Sequence, residues 1–137
     1  MTDVVYNWRG AFSNAEVNTL HADAFAHRLF DDDWQTLVDA HSLGWVTARR
    51  QDRLIGFVNV IWDGLTHAWL QDTIVASDAR RHGVGAQLVK TAEEAARAAG
   101  CEWLHVDFDD DLTSFYFDAC GFVPTNGGLI ELQAATD

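Results

Sequence analysis

The chain has 137 residues, 48% of them hydrophobic, with six tryptophans and eight phenylalanines, enough for one core and too few for two comfortable domains. Its formal net charge of −12 argues against a nucleic-acid groove, which rests on Lys and Arg neutralising phosphates, and against anionic membrane surfaces, which attract basic patches. Asp3, Asn7 and Arg9 interrupt any signal-like segment after Met1, no apolar run nears the roughly 20 residues of a membrane span, and Cys101 and Cys120 are too few and too far apart for a disulfide scaffold or zinc site; a cytoplasmic protein with reduced thiols and no metal is expected.

Asp3 to Trp8 reads as a first strand. Ser13-Asn14-Ala15-Glu16 has the spacing of a capping box, so a helix is expected from there towards His27. Asp31, Asp32 and Asp33 stand where negative charge suits the start of a second helix. Trp34, Leu37, Val38 and His41 follow at helical spacing, and Gly44 offers a stop. Trp45 to Arg50, Leu54 to Trp62 and Leu65 to Val75 read as three strands, joined through Gln51-Asp52-Arg53 and the hairpin signal Asp63-Gly64. An alanine-rich helix is expected over Val84 to Ala99, with Gly100 as its cap, and a strand over Trp103 to Phe108. That order implies a right-handed crossover and a parallel pair. A short helix (Leu112 to Ala119), a final hairpin of Phe122 to Thr125 with Leu129 to Leu132 around Asn126-Gly127-Gly128, and five frayed terminal residues complete the chain. The expected architecture is α/β: a mixed sheet, antiparallel meander first and parallel strand pair second, with helices on both faces.

The most informative stretch is Arg80-Arg81-His82-Gly83-Val84-Gly85, between the apolar run Trp69 to Val75 and the alanine-rich helix. Two glycines two apart let the backbone pass close to a ligand with several N–H groups pointing one way. The helix that follows adds free donors and the positive end of its dipole, which suits phosphate or pyrophosphate. Three cationic or protonatable side chains in an acidic chain strengthen that reading. A Walker loop is excluded because no Lys follows the glycines until Lys90, and a dinucleotide fingerprint lacks its third glycine.

These residues, in this order, resemble the GNAT superfamily of N-acyltransferases over nearly the whole chain, most firmly from Trp45 to Phe122. The family's Arg/Gln-x-x-Gly-x-Gly/Ala signature is matched by Arg80, Gly83 and Gly85. Its Leu-acidic-Asp-x-x-Val strand is matched by Leu70-Gln71-Asp72-Thr73-Ile74-Val75. Its aromatic-Tyr pair followed by Gly-Phe is matched by Phe115-Tyr116 and Gly121-Phe122. Gln71 replaces a Glu that some members use as a base, and Asp109 replaces a frequent Asn.

The resemblance implies one domain spanning residues 1–137 that moves an acetyl group from acetyl-CoA to a primary amine by direct attack. It implies that the turn Arg80, Arg81, His82, Gly83, Val84 and Gly85 holds the pyrophosphate, and that Ile74 and Val75 offer main-chain contacts to the pantetheine arm. It implies Tyr116 as proton donor to the departing sulfur. Full transfer from a phenol near pKa 10 to a thiolate near 8.5 is uphill by roughly 2 kcal/mol, which a hydrogen bond or concerted transfer reduces. For the amine proton, Asp72, His105 (on a strand with Asp107 on its face) and a water chain are three alternatives. The acceptor is expected to be a small amine, cationic if the acidic charge steers it, in a pocket formed by the two N-terminal helices, strand ends and final hairpin. Phe25, Phe30, Trp34, His67 and Trp69 are candidates for its lining, but aromatic residues in a small domain are mostly core and none is assigned to it. A homodimer is a possible assembly, and a non-catalytic CoA-binding module is the competing reading.

Overall fold

In the computed structural model, which describes residues 3–133, β1 (Val4–Trp8) is followed by α1 (Asn14–Phe25), α2 (Trp34–His41), β2 (Ser42–Arg50), β3 (Arg53–Trp62), β4 (His67–Val75), α3 (Val84–Ala98) and β5 (Trp103–His105). One sheet forms in the order β1-β2-β3-β4-β5, antiparallel up to β4 and parallel between β4 and β5. Adjacent residues of β3 show why helices cover both faces. A Cβ at Gly56 would lie 2.9 Å from Leu88 and 3.2 Å from Val84 of α3, whereas Phe57 meets Phe12 and Trp34 of α2 edge-on. The fully buried Ile55, Phe57, Ile74 and Leu88 fill the layers between. Among the described residues no helix is long and apolar enough to cross a membrane.

The expected capping box forms at α1. Ser13 Oγ accepts the Glu16 N–H at 3.1 Å, and Glu16 accepts the Ser13 N–H at 2.9 Å. Glu16 also takes both arms of the Arg49 guanidinium, at 2.7 and 2.9 Å. At α2, Asp33 accepts the Thr36 N–H at 3.2 Å. The helix gives way to strand at Ser42, so Gly44 does not stop it. Gly44 is instead a packing residue inside β2: a Cβ there would lie 2.1 Å from the Trp8 ring.

Three expectations fail towards the C-terminus. The strand expected over Trp103 to Phe108 pairs with β4 only from Trp103 to His105, because the chain then leaves β4. The helix expected over Leu112 to Ala119 is a 3₁₀ turn, Asp110–Leu112, followed by a π-helical turn, Ser114–Ala119. The final hairpin does not form: no strand occurs between Phe122 and Gln133, and Val123, Leu129, Ile130 and Leu132 are 79–91% exposed. A three-residue β5 offers no long edge to pair with, and an isolated hairpin is marginal in water. Of the five terminal residues expected to fray, all but Gln133 lie outside the described residues.

Candidate active site

The turn into α3 departs from ordinary helix starts. Arg81 and Gly83 both adopt the left-handed conformation, at φ 66° and 78°, and no side chain caps the helix. The first intrahelical bond at this end is Gln87 N–H to the Gly83 carbonyl, at 3.1 Å. The N–H groups of Val84, Gly85 and Ala86 therefore have no carbonyl within the helix to meet. Such a run of donors at the positive end of a helix dipole is a cradle for an anion. The two glycines have separate reasons. Gly83 supplies the positive φ and has open space where its Cβ would be, while a Cβ at Gly85 would press to 3.1 Å from the Phe115 ring. The Arg80 guanidinium donates to the Ala24 carbonyl at 2.7 Å and ties the turn to α1, while Arg81 and His82 beside it are also exposed. Beside the turn opens a pocket of about 270 Å³, lined by Gly83, Ala86, Gln87, Lys90, Ala119 and Cys120 among others.

From this turn a gap runs along β4. β4 and β5 pair only between His67–Trp69 and Trp103–His105, so among the described residues the main chain of β4 has no strand partner on that side beyond Trp69. Ala76 N–H donates to the Ile55 carbonyl at 2.8 Å, and Ile74 faces Phe57 in the same register. Strand alternation then aims the main-chain groups of Val75 into the gap and those of Ile74 towards β3. At the inner end β4 bulges. The register with β3 shifts between Phe57↔Ile74 and Asn59↔Gln71, and Asp72 takes φ 56°. A non-glycine residue held there costs roughly 1–2 kcal/mol. Burial pushes the Asp72 carboxyl above its ordinary value, opposed by the nearby His21 and reinforced by Asp32.

Tyr116 reaches the same bulge from the opposite side of the gap. Its hydroxyl donates to Thr73 Oγ1 at 3.2 Å. Its ring is 5% exposed, stacked on Phe108 at 4.7 Å and flanked edge-on by Phe115 and Phe122. Burial raises the phenol, with the Thr73 hydrogen bond opposing and the charges of Cys120 and Asp107 adding to it. The group is thus held protonated at neutral pH. His105 is not brought to this point with Asp107 as a strand partner, because β5 ends at His105. Its Nε2 lies instead 2.7 Å from Nδ1 of His67, with Trp69 stacked 5.1 Å away. Burial pushes both thiols up, Cys120 to about 11, which disfavours the thiolate at each.

A second histidine pair escaped the reading of the sequence. His21 Nδ1 and His27 Nε2 are 2.6 Å apart, and Phe30 stacks on His27 at 4.2 Å. Six residues of separation carry no signal in themselves. The left-handed Ala26 (φ 54°) ends α1 and turns His27 back beside His21. Of the unassigned aromatic candidates, Phe30 joins this pair. Trp34 is buried against Phe57 and Phe25 is half-exposed.

Residues 3–122 match the family model described as Acetyltransferase (GNAT) family. The chain belongs to the GNAT acetyltransferase family. Solved structures repeat its fold at low identity. A probable acetyltransferase from meticillin-resistant Staphylococcus aureus is 21% identical, with 97% of this chain and 100% of that one covered and a TM-score of 0.76. The aminoglycoside N-acetyltransferase AAC(6')-Iy, solved with CoA, is 17% identical, with 98% and 97% covered and a TM-score of 0.76. Glucosamine-6-phosphate N-acetyltransferase from Arabidopsis thaliana is 11% identical, with 93% and 97% covered and a TM-score of 0.72. No curated protein matches. In this GNAT chain the uncapped turn, the open side of β4 and the Tyr116 hydroxyl lie in sequence along one gap, an arrangement that can hold an extended anionic thioester and meet its sulfur with a proton.

Proposed function

We propose that this acetyltransferase moves an acetyl group from acetyl-CoA to the primary amine of a small molecule by direct attack. The observation that carries the reading is the uncapped, left-handed turn at Gly83 opening onto the unpaired edge of β4. Arg81 to Gly85 would hold the pyrophosphate through main-chain donors, and Val75 would pair with the pantetheine arm. That route leads to the bulge at Asp72–Thr73, where the thioester would lie within reach of Tyr116. The protonated Tyr116 hydroxyl then serves the sulfur as the carbon–sulfur bond breaks. The raised phenol favours a concerted transfer over a free thiolate.

The acceptor reading rests on what the similar proteins do and on charge. AAC(6')-Iy was solved with a bisubstrate analogue of CoA and acetylneamine, and another similar protein is named for glucosamine 6-phosphate. A chain at −12 concentrates cations within roughly 8 Å at physiological salt, so a cationic small amine is the acceptor class we favour. The competing reading, a CoA-binding module without turnover, is supported by Gln71, which cannot take a proton where some members place Glu.

Calorimetry with acetyl-CoA, followed by thiol release across a panel of amines at low and moderate salt, tests both. We expect binding and release, favouring cationic amines at low salt. Binding without release across the panel would favour the module, and absence of binding would end both readings. Tyr116→Phe is expected to lower turnover about ten- to a thousand-fold with acetyl-CoA affinity retained.

A further inference from the structure

The α1–α2 loop carries a histidine pair whose hydrogen-bond polarity is set by the backbone. His27 Nδ1 lies 2.6 Å from the Arg28 carbonyl oxygen, which can only accept, so Nδ1 bears the proton. Neutral His27 then has its lone pair on Nε2, 2.6 Å from His21 Nδ1. His21 Nδ1 must in turn bear the proton. The neutral pair leaves one free lone pair, on His21 Nε2. The His67–His105 pair has no such polarity, because among the described residues no carbonyl or carboxylate is hydrogen-bonded to either ring.

The loop is held firmly where this matters. Buried Asn18 donates to the Asp32 carbonyl at 3.0 Å and accepts from Asp32 N–H and Trp34 Nε1. Asn14 joins Asp33 to Gln35 in the same way. Helix α1 packs on β4, and the charge of Asp72 favours the charged form of His21 as His21 favours that of Asp72. Asp72 adjoins Thr73, the residue that the Tyr116 hydroxyl touches. The histidine pair and Tyr116 are thus both tied to the Asp72–Thr73 bulge, the pair through the packing of α1 on β4 and the charge of Asp72, and Tyr116 through the Thr73 hydroxyl.

We propose that His21 Nε2 takes the proton of the attacking amine and that His27 is the positioning residue that holds His21 in the tautomer able to do so, an inference that rests on the acetyl-transfer reading above. The amine nitrogen bonds to the acetyl carbon and gives its proton to His21. The carbon–sulfur bond breaks with its electron pair on sulfur, which takes the proton of Tyr116. The proton on His21 returns through water to the Tyr116 phenolate, so the net change is amine plus thioester to amide plus thiol. Burial holds His21 below the ordinary histidine value of 6.5, so it is neutral and ready at pH 7. Asp72 and Asp32 favour its charged form and His27 opposes it. Arg28, over Phe30 at 4.6 Å, is a further charge near the pair.

The test joins structure and kinetics. Nitrogen-15 spectra of the wild-type protein should show neutral His21 protonated at Nδ1; protonation at Nε2 overturns the proposal. With acetyl-CoA and whichever panel amine turns over, His21→Gln should lower kcat about a hundredfold or more, with acetyl-CoA affinity unchanged. His27→Phe should do the same and move the His21 proton to Nε2. His27→Gln, whose side-chain oxygen still accepts from Nδ1–H, should restore most of the rate. The acidic limb of kcat/KM should fall below pH 6.5 and move lower still in Asp72→Asn, which removes the charge that favours the imidazolium. If His21→Gln lowers the melting temperature, the two His27 variants carry the test. Thiol release that persists unchanged in His21→Gln and His27→Phe defeats the histidines and leaves the acetyltransferase standing. Acetyl-CoA binding with no release from any amine in the wild type defeats both.

Discussion

Helices α1 and α3 begin in opposite ways. At α1 two of the free N–H groups are answered from within the chain: Ser13 and Glu16 cap one another, and Arg49 locks Glu16 from β2. At α3 the corresponding position is Gly83, left-handed and without a capping side chain. A cap is worth about 0.5–2 kcal/mol to a helix, so the α3 start forgoes stability that the chain obtains elsewhere. The free donors of a helix start thus serve stability at one helix and remain available to an anion at the other. A short polar motif can specify either outcome; the presence or absence of a side-chain oxygen decides which.

The comparison breaks most readily at Gly83. Valine there would be forced into a left-handed conformation that β-branched residues avoid and would put its side chain into the open space before the turn. We expect Gly83→Val to weaken acetyl-CoA binding about a hundredfold by calorimetry and to remove the rise in melting temperature that the ligand gives. Unchanged affinity in a folded protein would falsify the assignment of the turn. A subtler variant sharpens the contrast. Gly83→Asp places a carboxylate where the phosphate is expected, in imitation of the acidic cap at α2. Its acetyl-CoA affinity should fall about tenfold, more at low than at high salt because the repulsion is screened. Equal losses at both salts would mean that the effect is steric.

What could be read in the chain before any coordinates follows the same division. Local rules carried the capping box at Ser13, the meander and the turn at Gly83, because each rests on neighbours in sequence, whereas Tyr116 is marked only by the family resemblance. Gly44 misled because a helix stop and a glycine pressed against the Trp8 ring look alike in sequence. Gly83 and Gly85 could not be told apart, since one answers to φ and the other to the distance of Phe115. The C-terminal hairpin failed because alternation gives a strand its pattern but not its partner, and β5 is too short to provide one. The His21–His27 pair was invisible because it depends on a left-handed Ala26 that no turn signal marks.

At the capped helix the expected effect is smaller and of another kind. Ser13→Ala removes the oxygen that accepts the Glu16 N–H, and should destabilise the protein by about 1 kcal/mol in urea unfolding. Acetyl-CoA affinity should not move, because nothing at Ser13 faces the turn at Gly83. A change in affinity beyond twofold would show that the two helix starts are coupled, contrary to the division of roles drawn here.

The smallest effect is a pH signature of the same cap. The Arg49 guanidinium, with the Ser13 N–H assisting, holds the Glu16 carboxyl at about 2 against an ordinary 4.5. Between those values the unfolded chain binds the proton more readily than the folded one, so this contribution is full above about pH 4.5 and is lost as the pH falls towards 2. The pair is partly exposed, with side chains 23% and 34% accessible, and water screens it, so we expect only about 1 kcal/mol at pH 7. Asp23, Asp33, Asp63 and Asp78 are also held low, so acid lability of the wild type alone would not isolate Glu16. The difference between wild type and Glu16→Gln does: protonated Glu resembles Gln, and the gap in unfolding free energy should be constant from pH 7 to 5 and narrow from there to pH 3. A gap that keeps its width at pH 3 would mean that the Arg49 contact contributes through its geometry and not through the charge on Glu16.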